Sequence, residues 1–409
     1  MRVIIINNMF NENLNPEVFT RGVADIITKE GLKKLLQDKR QLRVKHGIDA
    51  TSPYLHIGHA ANLWKLRALQ EAGHKAVIIL GDFTTHIGDP TGRLKSRPQL
   101  GEEQIERNVS SIKTQIEGIL LNKPAVCEVR RNSEWLGEMS VKDFLQVLSL
   151  VTHARLIERD MFQERINKGE EVLISELIYP VLQGYDSVAV KSDLTIIGSD
   201  QIFNEHLGRF FQEKFKQSPQ VIVALELLPG LDGKKKMSKS EQNFIGLLDS
   251  PKDKFGKAMK VLDDLIISYM RSYTDISLEK IADLQKKLEQ GLNPKEAKLF
   301  LAEQLVARYH GKKIAKKEKD GFESVFSKKE LPEDMETRDL AGENHQILDL
   351  LIKLKLAPSR SEAKRLVLQR AVEVGGKTIT DPTKSVKLKP SLIVKVGKRR
   401  FVKIGRIKN

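Results

Sequence analysis

Arg43-Val-Lys-His-Gly-Ile-Asp49-Ala-Thr51-Ser-Pro-Tyr-Leu55-His56-Ile57-Gly58-His59 sets a short apolar run against a turn of histidine and glycine, and an amphipathic stretch from Ala60 to Ala72 follows. Val44 to Ile48 reads as a strand and Ala60 to Ala72 as a helix, so the turn lies at a strand-to-helix junction. Glycine at such a junction lets a flat base or a phosphate approach the backbone. The helix N-terminus adds free N–H groups and a positive dipole end. His56 and His59 bring further donors for phosphate oxygens. As a four-residue word the pattern recurs by chance, and its place after the first sheet strand is what gives it weight.

Outward from this junction, Ala76 to Gly81, Ala125 to Val129, Leu194 to Ile197 and Val221 to Leu225 are further strand runs, with helical stretches such as Glu103 to Leu121 between them. Strand and helix in alternation predict an α/β, Rossmann-like doubly wound parallel sheet, with ligands at the carboxyl ends of the strands. This first domain is expected over residues 1–243. Past Ser240 the strand signal fades. Lys252 to His310 has helical spacing with caps at Ser277 and Asn293, predicting an all-α domain over 244–327. Residues 328–344 are charged, contain Pro332 and Gly342, and read as a linker. Residues 345–409 are helical from Gln346 to Val372 and then β-rich to Ile404, the order of a small α+β domain.

The 409 residues exceed the size at which one core stops growing, so several domains are expected. The chain is 40% hydrophobic and 30% charged, and no run approaches the roughly 20 apolar residues of a membrane span. The single cysteine, Cys127, excludes an internal disulfide and a cysteine-built zinc site; the chain is read as cytoplasmic, with no protein-held metal. Of the net charge of +15, Lys353 to Asn409 carry +14, from 17 Lys and Arg against Glu362, Glu373 and Asp381. A basic module on a nearly neutral body suits a polyanion such as RNA, although a basic terminus alone is more often a solvated tail.

About 180 residues after His56 stands Lys236-Met237-Ser238-Lys239-Ser240, preceded by Gly230 and Gly233. Lysines three apart on a glycine-flanked loop can close over a triphosphate and offset charge that develops in a transition state. Between the two elements, Tyr179, Gln183 and Asp186 are spaced to share one helix face. A hydroxyl, an amide and a carboxylate in an apolar segment are costly to bury without a polar ligand, and they suit an amino group and a phenol.

With His56-Ile57-Gly58-His59 and Lys236-Met237-Ser238-Lys239-Ser240 both unaltered, the chain resembles the class I aminoacyl-tRNA synthetases, whose signatures are written HIGH and KMSKS. Tyr179-Pro-Val-Leu-Gln183-Gly-Tyr-Asp186 narrows the resemblance to bacterial tyrosyl-tRNA synthetases. The resemblance implies activation of tyrosine by ATP, accompanied by Mg2+, and transfer to tRNA(Tyr) by a homodimer. It implies ATP binding by His56, Gly58, His59, Asp200 and Lys239, and tyrosine binding by Asp89, Tyr179, Gln183, Asp186 and Gln201. Thr51, His56, His59, Lys236 and Lys239, with Arg93 and Arg97, match the positions that face the reacting phosphates. Lys45 falls where many members carry a tyrosine that bonds the substrate phenol. It is read as a strand residue pointing away, leaving the phenol to Asp186 or to a neighbour not evident from the sequence.

Ala357-Pro-Ser-Arg-Ser-Glu-Ala-Lys-Arg-Leu366, followed by Val372-Glu-Val-Gly-Gly-Lys377, resembles the S4-like RNA-binding domain, and Arg360, Lys364 and Arg365 share a helix face suited to RNA phosphates. Three rival readings stand beside this one. They are a tryptophanyl enzyme of the same body plan, a small-molecule nucleotidyltransferase, and an RNA-binding paralogue without activity.

Overall fold

The computed structural model describes residues 15–38, 40–90, 100–238, 241–326, 336–397 and 400–408. Arg93, Arg97 and Lys239 lie outside them. Contacts divide the chain into two compact units, Met1–Ala315 and Lys316–Asn409.

The first unit is built on strands β1 (Val23–Ile27), β2 (Arg43–Asp49), β3 (Lys75–Gly81), β4 (Cys127–Arg131), β5 (Leu194–Gly198) and β6 (Val221–Leu225). Their order across the sheet is β1-β6-β5-β2-β3-β4, with β2 to β6 parallel and β1 antiparallel on the β6 edge. The chain runs outward from β2 to β4, then returns to β5 on the other side of β2. That reversal opens a crevice at the carboxyl ends of β2 and β5. One face of the sheet, with Val44, Ile48, Ile78, Leu80, Ile196 and Val223, packs on the helices Ile57–Glu71 and Glu102–Glu117 through Leu63, Leu66, Val109 and Ile112. The helices Ile174–Ala189 and Ile202–Lys214 pack on each other through Val181, Val188, Leu207 and Phe211.

Three elements depart from the sequence reading. Strand β4 starts two residues later than expected, because Pro124 opens a turn in which the Val126 N–H bonds the Lys123 carbonyl. Strand β1 lacks the alternation that marks a half-buried strand and takes its place by pairing with β6. The helix after β2 begins at Ile57, so the His-x-Gly-His residues form its cap and first turn instead of preceding it. Helices between Pro251 and His310 contain the expected caps, Ser277 and Asn293, and pack inside the first unit: Ile266–Tyr273 touches both Ile57–Glu71 and Pro294–His310.

In the second unit, β7 (Glu336–Ala341), β8 (Asn344–Gln346), β9 (Val372–Val374), β10 (Lys377–Ile379), β11 (Ser385–Lys387), β12 (Ile393–Val396) and β13 (Arg400–Lys408) form sheets ordered β10-β9-β12-β13-β7 and β11-β8. The helices Ile347–Lys353 and Arg360–Leu368 cover them around Leu350, Leu351, Val367, Val394 and Ile404. Strand β7 falls within the segment expected as a linker. Its residues, Glu336-Thr-Arg-Asp-Leu-Ala341, are mostly polar and carry no apolar run, and it is held by parallel pairing with β13.

Candidate active site

A cavity of about 280 Å³ occupies the crevice between β2 and β5. Along β2 the residues at Lys45, Gly47 and Asp49 share a face, as alternate strand residues do. Gly47 is exposed although its strand is central, and a Cβ there would meet no atom within 4 Å. Bare backbone therefore floors the cavity, with polar side chains at either end.

At one end, the Tyr179 hydroxyl donates to Asp49 at 2.9 Å, and Thr84 donates to the other Asp49 oxygen at 2.8 Å. Burial, then the adjacent Asp49, holds the Tyr179 hydroxyl well above the ordinary phenol value, so it remains a donor. Gly81 ends β3 against Asp49, and a Cβ would collide with that carboxylate. Asp89 follows Gly88, whose φ of 74° turns the chain, and accepts from Gln201 Nε2 at 2.8 Å. From Gln201 a chain of hydrogen bonds crosses the cavity wall: Asn204 donates to Gln201 at 3.0 Å and to Gln183 at 2.7 Å, and Gln183 donates to Glu205 at 3.0 Å.

At the other end stand Asp186 and Lys45. Asp186 accepts from the Trp135 indole N–H at 2.8 Å and from the Asn132 side chain. Burial pushes its carboxyl up to about 7, against the opposing pull of Lys45, Trp135 and Asn132. Lys45 does not point away from the site. Its ammonium is 2% exposed, lines the cavity, and donates to Glu205 at 2.7 Å and to Ser187 at 2.6 Å. The strand pleat turns it to the cavity face, where Glu205 balances its charge.

Over the mouth lie the His56–His59 turn and, from the second signature, Lys236 and Met237. His56 Nδ1 accepts from the Gly58 N–H at 3.2 Å and His59 Nδ1 from the His56 N–H at 3.3 Å, which leaves Nε2–H of each ring as donor. Some of the free N–H groups expected at this helix start are therefore engaged by the histidines themselves. Burial, reinforced by Lys236, lowers His56 to about 3; burial, reinforced by His56, lowers His59 well below its usual value. Both are neutral donors at physiological pH. The arm that follows the lysine loop pairs with this turn: the Ile57 N–H bonds the Ile245 carbonyl at 3.0 Å, and the Leu247 N–H bonds the Leu55 carbonyl at 2.9 Å. Lys254, buried behind that arm, donates to the Gly246 carbonyl at 2.5 Å. Lys236 reaches Asp200 at 2.5 Å.

Of the expected site residues, Thr51, His56, Gly58, His59, Asp89, Tyr179, Gln183, Asp186, Asp200, Gln201 and Lys236 all line this one cavity. Arg360, Lys364 and Arg365 are exposed in the second unit, where Arg360 pairs with Asp349 and Arg365 with Glu362. Asp49, Gly47, Lys45 and Glu205 escaped the sequence reading as site residues.

Residues 37–327 match the family described as tRNA synthetases class I (W and Y), and residues 348–394 match the S4 domain. The chain is 42% identical to the tyrosine–tRNA ligase of Thermotoga maritima, covering 95% of this chain and 96% of that protein. This chain belongs to the class I tRNA synthetases, in the tyrosine–tRNA ligase family. Solved structures share its fold: a C-terminally truncated mitochondrial tyrosyl-tRNA synthetase of Aspergillus nidulans has a TM-score of 0.65 at 19% identity, over 78% of this chain and 96% of that one. A Plasmodium falciparum tryptophanyl-tRNA synthetase has a TM-score of 0.55 at 19% identity, over 71% and 80%. Fold alone thus does not separate the two amino acids, whereas the closer sequence relatives do. The family's architecture, a Rossmann-like catalytic domain with helical additions and an S4 domain, is the one described above. Among the described residues no helix is long and apolar enough to cross a membrane.

Proposed function

We propose that this ligase activates L-tyrosine with MgATP to tyrosyl-adenylate and pyrophosphate, then passes the acyl group to the 3′-terminal adenosine of tRNA(Tyr). The observation that carries the reading is the two-ended cavity: Asp89, Tyr179 and Gln183 at one end suit an ammonium, Asp186 at the other suits a phenol, and the bare Gly47 floor leaves room for a ring. The tyrosine carboxylate attacks the α-phosphorus and pyrophosphate departs, so the enzyme's task is positioning and charge stabilisation without a covalent intermediate. Neutral His56 and His59 donate to phosphate oxygens, Thr51 adds a hydroxyl, and Lys236, Lys239, Arg93 and Arg97 offset the charge on the leaving group. Lys236 now holds Asp200, so nucleotide entry exchanges that contact for one between Asp200 and the ribose. Residues 1–243 are proposed as the catalytic domain, 244–327 as the anticodon-side domain, and 345–409, after the 328–344 linker, as the arm whose Arg360, Lys364 and Arg365 grip tRNA. Cytoplasmic location and a homodimer complete the reading; exposed Val141, Leu145 and Ile174 are apolar surface that a second copy would cover.

The test is ATP–pyrophosphate exchange without tRNA, supplying each amino acid in turn. Exchange with tyrosine alone is expected, and exchange with tryptophan or with none would overturn the reading. A second expectation concerns the floor. Gly47→Val adds a side chain whose Cβ meets no protein atom within 4 Å and which suits a strand, so thermal stability should be retained. In the substrate's place it should lower kcat/KM for tyrosine roughly 10- to 100-fold, the cost of overpacking a filled site. Unchanged kinetics would place the ring elsewhere.

A further inference from the structure

Lys45 is a buried cation with an unfinished set of hydrogen bonds. An ammonium has three N–H donors; here one goes to Glu205 Oε2 at 2.7 Å and one to Ser187 Oγ at 2.6 Å. Among the described residues the third has no partner, and the side chain lines the cavity within electrostatic reach of Asp186. The direction of the ammonium is fixed from behind. Glu205 also accepts from Gln183 at 3.0 Å and from Gln220 at 2.7 Å, and Gln220 is itself tied to Gln212 and Ser192. Two carboxylates, Glu205 and Asp186, thus flank one ammonium at the closed end of the cavity, and only Glu205 bonds it directly.

A counter-ion for Glu205 alone would not need to face the cavity. Burying an ion pair gains little over apolar side chains of the same size, so the pair needs another reason to be there. Beyond Lys45 on the same strand face come the open Gly47 and then Asp49, four residues and about 13 Å along the strand from Lys45. A ring lying over Gly47 with its ammonium toward Asp49 and Asp89 brings its far substituent to the gap between Lys45 and Asp186.

We propose that Lys45 is a specificity-determining residue for the phenol, donating its third N–H to the phenol oxygen while that hydroxyl donates to Asp186. The phenol then meets one donor and one acceptor, which a bare phenyl ring satisfies with neither. Without a hydroxyl in place, both the ammonium and the carboxylate are left buried without their last partner, and that penalty is what rejects phenylalanine. Because Glu205 links Lys45 to Gln183, the same network couples the phenol end of the cavity to the ammonium end through side chains already in contact.

This inference rests on the tyrosine reading of the cavity, and the experiment separates the two. Lys45→Met alone strands the Glu205 carboxylate and risks unfolding, so the decisive variant is Lys45→Met with Glu205→Gln. That pair removes both charges and keeps an acceptor for Gln183. With the wild type exchanging on tyrosine, the double variant is expected to raise KM for tyrosine at least ~10-fold, with KM for ATP unchanged and the weak rate on phenylalanine raised, because the ammonium that phenylalanine leaves without a partner is gone. Tyrosine-over-phenylalanine selection then falls by at least the same factor. A residue with only a structural role would move tyrosine and phenylalanine together, and a double variant that keeps the wild-type selection ratio overturns the proposal. Failure of the wild type to exchange on tyrosine would instead overturn the reading of the cavity itself.

Discussion

Asp186→Asn is expected to lower kcat/KM for tyrosine by roughly 10- to 150-fold, the equivalent of about 1.5–3 kcal/mol for a hydrogen bond to a charged group. The carboxylate stands at the closed end of the cavity, already bonded by Trp135 and Asn132, and accepts best when ionised. An amide in its place presents an N–H to Trp135 or to the phenol, and one of the two contacts turns repulsive. Phenylalanine, lacking the hydroxyl, should lose little, so the selection between the two collapses. This follows the rule that a site built to bond a hydroxyl rejects the analogue without it, for which this family's choice of tyrosine is the usual illustration. Equal losses on both amino acids would mean that Asp186 shapes the pocket without touching the phenol.

The same residue sets a pH dependence. Burial raises the Asp186 carboxyl to about 7, so in the free enzyme it gains a proton as pH falls through neutrality. The ionised acceptor is then lost, and kcat/KM for tyrosine should decline on the acid side with an apparent pKa near 7. His56 and His59, already neutral because of burial, contribute no limb there. For stability the sign is opposite. A carboxyl raised in the folded state holds a proton that the unfolded chain has lost, so its contribution is full below the ordinary carboxylate value and disappears as pH rises through about 7. Asp186→Asn should remove both the kinetic limb and this slope, and a limb that survives the substitution belongs to another group.

What could be read from the sequence follows physical range. Tyr179, Gln183 and Asp186 were legible because a single helix repeats every 3.6 residues and brings all three to one cavity. The five parallel strands were legible as short β-rich runs, four of them central and largely buried, whereas β1 and β7 were not, since each is held by the backbone of a distant strand and neither carries a continuous apolar run. Gly47 looked like any strand glycine until the neighbouring helices left it uncovered. Lys45 and Glu205 lie 160 residues apart and meet only through the sheet order that sets β2 beside β5. No local pattern encodes that meeting, and an isolated lysine in a strand ordinarily reads as solvent-facing.

Glu205→Ala should therefore be the most destabilising of the single changes considered. It leaves the Lys45 ammonium, 2% exposed, with Ser187 as its one hydrogen-bond partner among the described residues, and removes the acceptor for both Gln183 and Gln220. Removing one member of a buried pair costs about 3–5 kcal/mol, because the charge left behind has neither water nor counter-ion. The loss is measurable by urea denaturation followed through tryptophan fluorescence. Both tryptophans, Trp64 and Trp135, lie in the first unit, so the signal reports the unit that holds the pair. In the double variant Lys45→Met with Glu205→Gln the stranded charge is absent, and the stability lost should be less than that of Glu205→Ala alone. Such non-additivity marks two groups that act on each other directly. If Glu205→Ala instead costs under ~1 kcal/mol, the ammonium has found water, and the closed end of the cavity is wetter than its burial implies.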